Sequence, residues 1–312
     1  MECVSSLEAQ TYGGKRLLVV CDTASTDGTE STLDTYCKGN RQVTLVKCMG
    51  VGRSEARNIG WRSCNTSLVM FADGDDVYDS RYLESAVKSL RESPGAGGAC
   101  LGGLPLAKGK TILQGYYQAY GTKNSRNYNE IHEGNRTPDW AWVYKKECLE
   151  KVGGFDEHLS QGEDRDICSR VKKLGYAITY VPGVNWYRRK PSTVRSFLRK
   201  EYNAGKRRVF YNQKYHDYGS VIQGLSPILL LGLLVVVGSL LGTAVAGIIL
   251  ALGLAFYIFR FAVGIRNRGV RVLAFAFLAL CARFANSLGT LLGTLVLVCI
   301  RLRILKVDPG KF

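Results

Sequence analysis

Apolar residues fall into two patterns along the chain. Up to about residue 190 they form short runs between segments with helical spacing. Arg16–Asp22, Val43–Cys48 and Ser67–Ala72 read as strands bounded by polar turn residues, with Ala99–Gly102 as a further short strand. Glu2–Ala9, Ser31–Cys37, Arg53–Ser63 and Arg81–Arg91 read as helices. This alternation predicts an α/β domain, residues 1–190, with a mostly parallel sheet and right-handed crossovers. Such a sheet normally opens with a strand, whereas this chain begins inside a helix.

The second pattern starts near residue 225. No charged residue occurs from Ser226 to Phe259, and another apolar block runs from Val272 to Ile300, interrupted only by Arg283. Blocks of this length predict membrane helices. The first is long enough for two, about 227–240 and 243–262, with Gly238–Thr243 as a tight turn. The second is expected as a third helix. Its flanks are both basic, with Arg266, Arg268 and Arg271 before it and Arg301, Arg303 and Lys306 after it. One crossing cannot keep both flanks on the cytoplasmic side, so a re-entrant or in-plane course around Arg283 and Asn286 is the alternative.

Charge sharpens the picture between the two regions. The 312 residues carry a formal net charge of +16, which points to a polyanionic partner such as a nucleotide or an anionic membrane surface. Arg188 to Lys214 holds ten Lys or Arg against one acid, Glu201, with Val194, Phe197, Leu198 and Tyr202 at helical spacing. Residues 191–224 are therefore expected as a basic amphipathic segment on the membrane surface, leading into a transmembrane region at 225–312. A nucleic-acid binder fits the charge but not the apolar blocks. The ten cysteines include no Cys-x-x-Cys pair, so free thiols in a reducing cytosol are expected. No signal peptide is read at the N-terminus.

The chemistry lies at the ends of the predicted strands. The run Ser67–Ala72 stops at Asp73-Gly-Asp75-Asp76, where ligands of parallel sheets bind. Asp73 and Asp75 would offer oxygens to a hard divalent cation, while a solvated acidic turn is the bland reading. Asp22 ends another strand, positioned to hydrogen-bond a base or ribose. Gly50-Val-Gly52-Arg53 leads through Arg57 into a helix, an anion-binding arrangement of exposed N–H groups and guanidinium. Further on, Gly153-Gly-Phe-Asp-Glu157 precedes Glu163-Asp164, which opens a helix; acids there are ordinary dipole partners.

In this order and spacing the clusters resemble the family 2 glycosyltransferases, inverting enzymes of GT-A (Rossmann-like) fold, over residues 2–190. The resemblance implies that Asp22 contacts the nucleotide base or ribose and Arg57 the nucleotide region. It implies that Asp73 and Asp75 hold Mg²⁺ or Mn²⁺ against a nucleotide-sugar diphosphate, that Glu163 is among the nucleotide-sugar-binding residues, and that Asp164 beside it is the catalytic base. Arg188 and Arg189 face either the diphosphate or the membrane. Two departures stand out: the family's first strand is missing, and Val184-Asn-Trp-Tyr-Arg188 stands where many relatives place a histidine.

A base is needed to deprotonate a sugar hydroxyl but not a lipid phosphate, which is already ionised. Glu163-Asp164 therefore favours a lipid-linked saccharide acceptor over a polyprenyl-phosphate acceptor. The expected protein is an integral protein of the plasma membrane with a cytoplasmic catalytic domain. The alternatives are a polyprenyl-phosphate sugar synthase or a catalytically dead membrane scaffold. Tyr116, Tyr117, Tyr120, Tyr128, Trp140 and Trp142 are aromatic positions for acceptor stacking or for packing under a loop.

Overall fold

Runs of Leu and Val build β1 (Leu17–Asp22) and β2 (Val43–Cys48), which pair in parallel from Leu17 opposite Val43 to Asp22 opposite Cys48. Helix α1 (Glu2–Glu8) precedes them, α2 (Thr29–Lys38) joins them, and α3 (Arg53–Arg62) follows. The computed structural model describes residues 1–40, 42–106, 111–118, 141–264, 271–302 and 305. Two units divide the chain: Met1–Leu104 with Ser125–Arg189 and Asp308–Phe312, and Pro105–Asn124 with Lys190–Val307.

The first unit also contains a five-stranded sheet. Its strands are β3 (Leu68–Met70), β4 (Asp76–Tyr78), β5 (Ala96–Leu106), β6 (Val143–Lys145) and β7 (Ala177–Arg189), in the order β3-β6-β5-β7-β4. The pairs β3–β6, β5–β6 and β4–β7 are antiparallel. Parallel pairing is thus found in β1–β2, and the larger sheet is mixed, because β6 and β4 are short returning strands that need no crossover helix. Helix α4 (Tyr82–Glu92) buries Tyr82, Ala86, Val87 and Leu90, one face at helical spacing. With α1 it covers a core that includes Cys3, Tyr78, Leu101 and Val143. Helices α3, α5 (Lys146–Val152) and α6 (Glu163–Lys173) cover the other core, with Trp61, Phe71, Trp142, Tyr144 and Ile167. The result is the layered α/β arrangement of a GT-A-like domain.

The second unit is helical. Helix α7 (Val194–Lys214) starts at a capping box in which Thr193 Oγ1 accepts from Ser196 N–H at 3.2 Å. Helix α8 (Tyr218–Leu241) begins earlier than the sequence pattern suggests, capped by Asp217, which accepts from Ser220 N–H at 3.0 Å. Pro227 lies inside it rather than at its start. Gly242, with φ of 91°, makes the break before α9 (Thr243–Gly264), and α10 (Arg271–Arg301) follows. Among the described residues, Tyr218–Leu241 and Ala274–Arg301 are long and apolar enough to cross a membrane.

Candidate active site

The acidic turn after β3 places Asp73, Asp75 and Asp76 with one oxygen each within 4.8 Å of one another. Two arginines from distant parts of the chain reach them. Arg57 Nη2 donates to Asp73 Oδ1 at 2.7 Å, and Arg188 Nη2 donates to Asp73 Oδ2 at 2.6 Å. Arg188 also donates to both oxygens of Asp76, at 2.7 and 2.8 Å. The register of β4 and β7 sets Asp76 opposite Arg188, so the pair is a product of strand alignment. Asp76, which reads in the sequence either as a support behind Asp73 and Asp75 or as a turn residue, is only 1% exposed and anchors Arg188. Asp75 points outward, more than half exposed, with Arg188 Nε 3.9 Å away.

Arg57 continues the web to α6. Its Nη1 donates to Glu163 Oε1 at 2.7 Å, and Arg53 Nη1 reaches the same oxygen at 3.3 Å. The guanidinium lies between the rings of Trp142 and Phe155, 5.5 and 5.4 Å from their centroids. Trp142 is therefore a buried wall beneath Arg57; Trp140 and Tyr120 lie outside the described residues. Three guanidinium groups, those of Arg53, Arg57 and Arg188, thus meet three carboxylates, those of Asp73, Asp76 and Glu163. Buried charge of this kind is tolerated because each member is paired and hydrogen-bonded.

Asn58 explains why α6 sits where it does. Its Oδ1 accepts from Phe155 N–H at 2.8 Å and from Trp61 Nε1 at 2.9 Å, while its Nδ2 donates to Phe155 O at 2.9 Å. Gly154 has φ of 80°, and a β-carbon there would stand 2.5 Å from Asn58 Oδ1, so glycine is required. Ser54 Oγ adds a bond to Leu159 O at 2.7 Å. Helix α3 thereby clamps the loop before α6 and presents Glu163 and Asp164 in the first turn of that helix.

Electrostatics separate the two acids. Burial alone would raise Asp73, but Arg57 and Arg188 outweigh it and hold its carboxyl below the usual carboxylate range. Asp164 is raised instead, first by burial and then by the neighbouring Glu163 charge, against a bond from Arg165 N–H at 2.8 Å. Arg57 is raised by Asp73 and Glu163 in spite of burial. Burial, with Asp76 and Asp73 nearby, pushes the Cys3 thiol up to about 11.

Among the sequence-derived positions, Arg57, Asp73, Glu163 and Arg188 form the connected web, with Asp75 at its rim and Asp164 next to Glu163. Asp22 ends β1 in the two-stranded sheet, where its Oδ1 accepts from Ala24 and Gly50 N–H at 3.0 and 2.8 Å; these bonds lower its carboxyl. Arg189 points away, pairing with Glu2, while its N–H donates to Asp75 O at 3.1 Å. Asn58 and Arg53 were visible in the Arg53–Gly60 stretch, but nothing local marks their partners, which lie 97 to 110 residues on.

An α/β domain with an acidic turn and convergent arginines at its strand ends has its charged groups where ligands of open α/β sheets bind, in a GT-A-like fold. Residues 1–151, just under half of the chain, match the family described as "Glycosyl transferase family 2", and this match together with glycosyltransferase relatives supports a glycosyltransferase. It is 25% identical over 215 residues to glycosyltransferase AglE of Haloferax volcanii, covering 67% of this chain and 68% of that protein. It is 23% identical over 225 residues to the O-antigen chain rhamnosyltransferase WbaN of Salmonella anatum, covering 70% and 66%. The pre-mycofactocin glycosyltransferase of Mycobacterium tuberculosis is 27% identical over 135 residues, 42% of this chain and 28% of that protein. The chain thus spans about a quarter to two thirds of the length of these relatives. Staphylococcus aureus TarS in complex with UDP superposes with a TM-score of 0.43 and 19% identity, covering 64% of this chain and 59% of that one.

Proposed function

We propose that this protein is a membrane-anchored inverting glycosyltransferase of polysaccharide or glycan synthesis. It moves a sugar from a nucleotide-diphosphate donor to a hydroxyl of a lipid-linked saccharide, with the catalytic domain on the cytoplasmic side. One observation carries this reading. A continuous series of ion pairs runs from Asp73 through Arg57 to Glu163, the neighbour of Asp164. The end of the site that faces a diphosphate and the end that supplies a base are therefore held in one rigid frame.

Asp164 takes the proton of the attacking hydroxyl as its oxygen bonds to the anomeric carbon and the bond to the diphosphate breaks on the opposite face. Its raised proton affinity suits a base that must both ionise and hold a proton. Arg57 and Arg188 direct positive charge at the strand ends where the leaving diphosphate gathers negative charge. Family 2 enzymes are commonly dependent on a divalent metal. The three clustered carboxylates fit such an ion by donor chemistry and spacing, and Asp75 with Asp73 would hold Mg²⁺ or Mn²⁺. When bound, the ion neutralises charge on the departing diphosphate. Asp22 would contact the nucleotide base or ribose with the carboxylate oxygen not used in its turn.

The test is a panel of nucleotide sugars offered to membranes containing the full chain, scored for transfer to lipid-linked saccharides and to polyprenyl phosphate. Transfer to a saccharide that is abolished in Asp164→Asn supports the reading. Turnover by that variant within a few-fold of wild type would shift it to an already ionised acceptor, the polyprenyl phosphate.

A further inference from the structure

Helix α10 passes for a membrane span by length and composition, yet its packing against α7 is incompatible with a crossing. The two backbones touch. A β-carbon at Gly205 would stand 1.9 Å from Asn286 O, one at Gly289 would stand 1.9 Å from Tyr202 O, and one at Gly293 would stand 2.3 Å from Lys206 O. Asn286 Nδ2 donates to Glu201 O at 3.1 Å, and Phe197 packs among Phe275, Leu278, Ala279 and Ala282. These contacts advance together along both helices, so α7 and α10 lie side by side in the same direction over several turns.

Helix α7 carries Arg195, Arg199, Lys200, Lys206, Arg207, Arg208 and Lys214 against the single acid Glu201. If α10 crossed the bilayer, it would carry most of these charges into hydrocarbon, where cationic side chains are costly. If instead both helices stood in water, Phe277, Leu288, Leu291, Leu292, Leu295 and Val298 would face it; all six are at least a third exposed. By helical spacing they form one stripe, opposite the face of Asn286, Thr290 and Gly293 that meets α7. Both flanks of α10 are basic, which an in-plane helix satisfies and a span does not.

We infer that α10 lies in the plane of an anionic bilayer surface, its apolar stripe immersed at the headgroup boundary and α7 riding on its opposite side. The inference rests on the membrane-anchored reading above, with α8 and α9 as the inserted part. Charge complementarity commits the occupant: basic α7 above and an apolar stripe below suit anionic lipid rather than another protein face.

Three variants of the full chain, Phe277→Trp, Leu288→Trp and Val298→Trp, test it in phosphatidylglycerol-containing vesicles with phospholipids brominated near the headgroup or near the bilayer centre. Fluorescence is read as the difference from wild type. Equal quenching of all three by the shallow bromine, with little from the deep one, is expected. Strongest deep quenching at position 288 and weak deep quenching at 277 and 298 would overturn the in-plane course. Failure of the chain to associate with vesicles at all would overturn the membrane reading itself. A phosphatase fused after Phe312 should be inactive in a bacterial host and a fluorescent protein there bright; the reverse also overturns the proposal.

Discussion

Asp73 and Asp164 stand at opposite ends of one ion-paired frame, and their surroundings drive them apart. Asp73 sits between two guanidinium groups, which lower its carboxyl; Asp164 is raised, first by burial and then by the neighbouring Glu163 carboxylate. Both are withdrawn from water, so burial does not distinguish them. The sign of the nearest charge does. In the proposed reading, the same frame would supply a charged end for phosphate and cation, and a titrating end for proton transfer.

The sharpest way to break this comparison is Asp164→Asn. Turnover should fall by about 10²–10⁴-fold while nucleotide binding, measured by calorimetry, stays within a few-fold. A parallel loss of binding would mean that Asp164 belongs to the charged end. Next is Arg57→Ala, which removes the guanidinium shared by Asp73 and Glu163 and leaves them with Arg188 and Arg53 respectively. Unfolding in urea should show a loss of about 3–5 kcal/mol, as expected when one partner of a buried pair is removed. Arg188→Gln frees both oxygens of Asp76 and one of Asp73. Mn²⁺ binding, followed by the free-ion paramagnetic resonance signal, should tighten about tenfold, roughly 1.4 kcal/mol. Unchanged affinity would show that Arg188 and the ion do not compete.

The smallest effects are in pH. A base with a raised proton affinity loses activity as pH falls, so the acid limb of kcat should lie above 3.8, the ordinary aspartate value. Asp73 behaves oppositely in stability. Its lowered folded-state value contributes stability that is present above the unfolded value and lost as pH falls through the folded one. Urea midpoints measured across the acid range should show this loss, and Asp73→Asn should flatten it.

Much of this was legible in the residues. Strands β1 and β2 and helix α3 follow from local periodicity, and the acidic turn and the Glu163-Asp164 pair announce themselves by type and order. The remainder depends on pairing across the chain. Strands β4 and β6 are three residues each, too short to show alternation, and exist only through partners in β7, β3 and β5. Asp76 could be read as a support behind Asp73 and Asp75 or as a turn residue, and the choice was hidden because Arg188, which makes it a buried anchor, lies 112 residues away. The apolar run suggested a helix from about residue 227, but Asp217 caps the helix earlier and Pro227 is carried inside it. The backbone contact of α7 with α10 rests on glycines whose meaning appears only once the helices are packed.

The alignment of β4 with β7 also constrains how this chain can vary. Because successive side chains on a strand face opposite ways, adding or deleting one residue between Trp186 and Arg188 would turn the guanidinium from Asp76 to the far face of the sheet. Ahead of that segment, Gly183 has φ of 81° and a β-carbon there would meet no atom within 4 Å, so a length change has more room there than beside Arg188. Indels in a library of this gene should therefore survive near residue 183 and vanish from the five positions that follow.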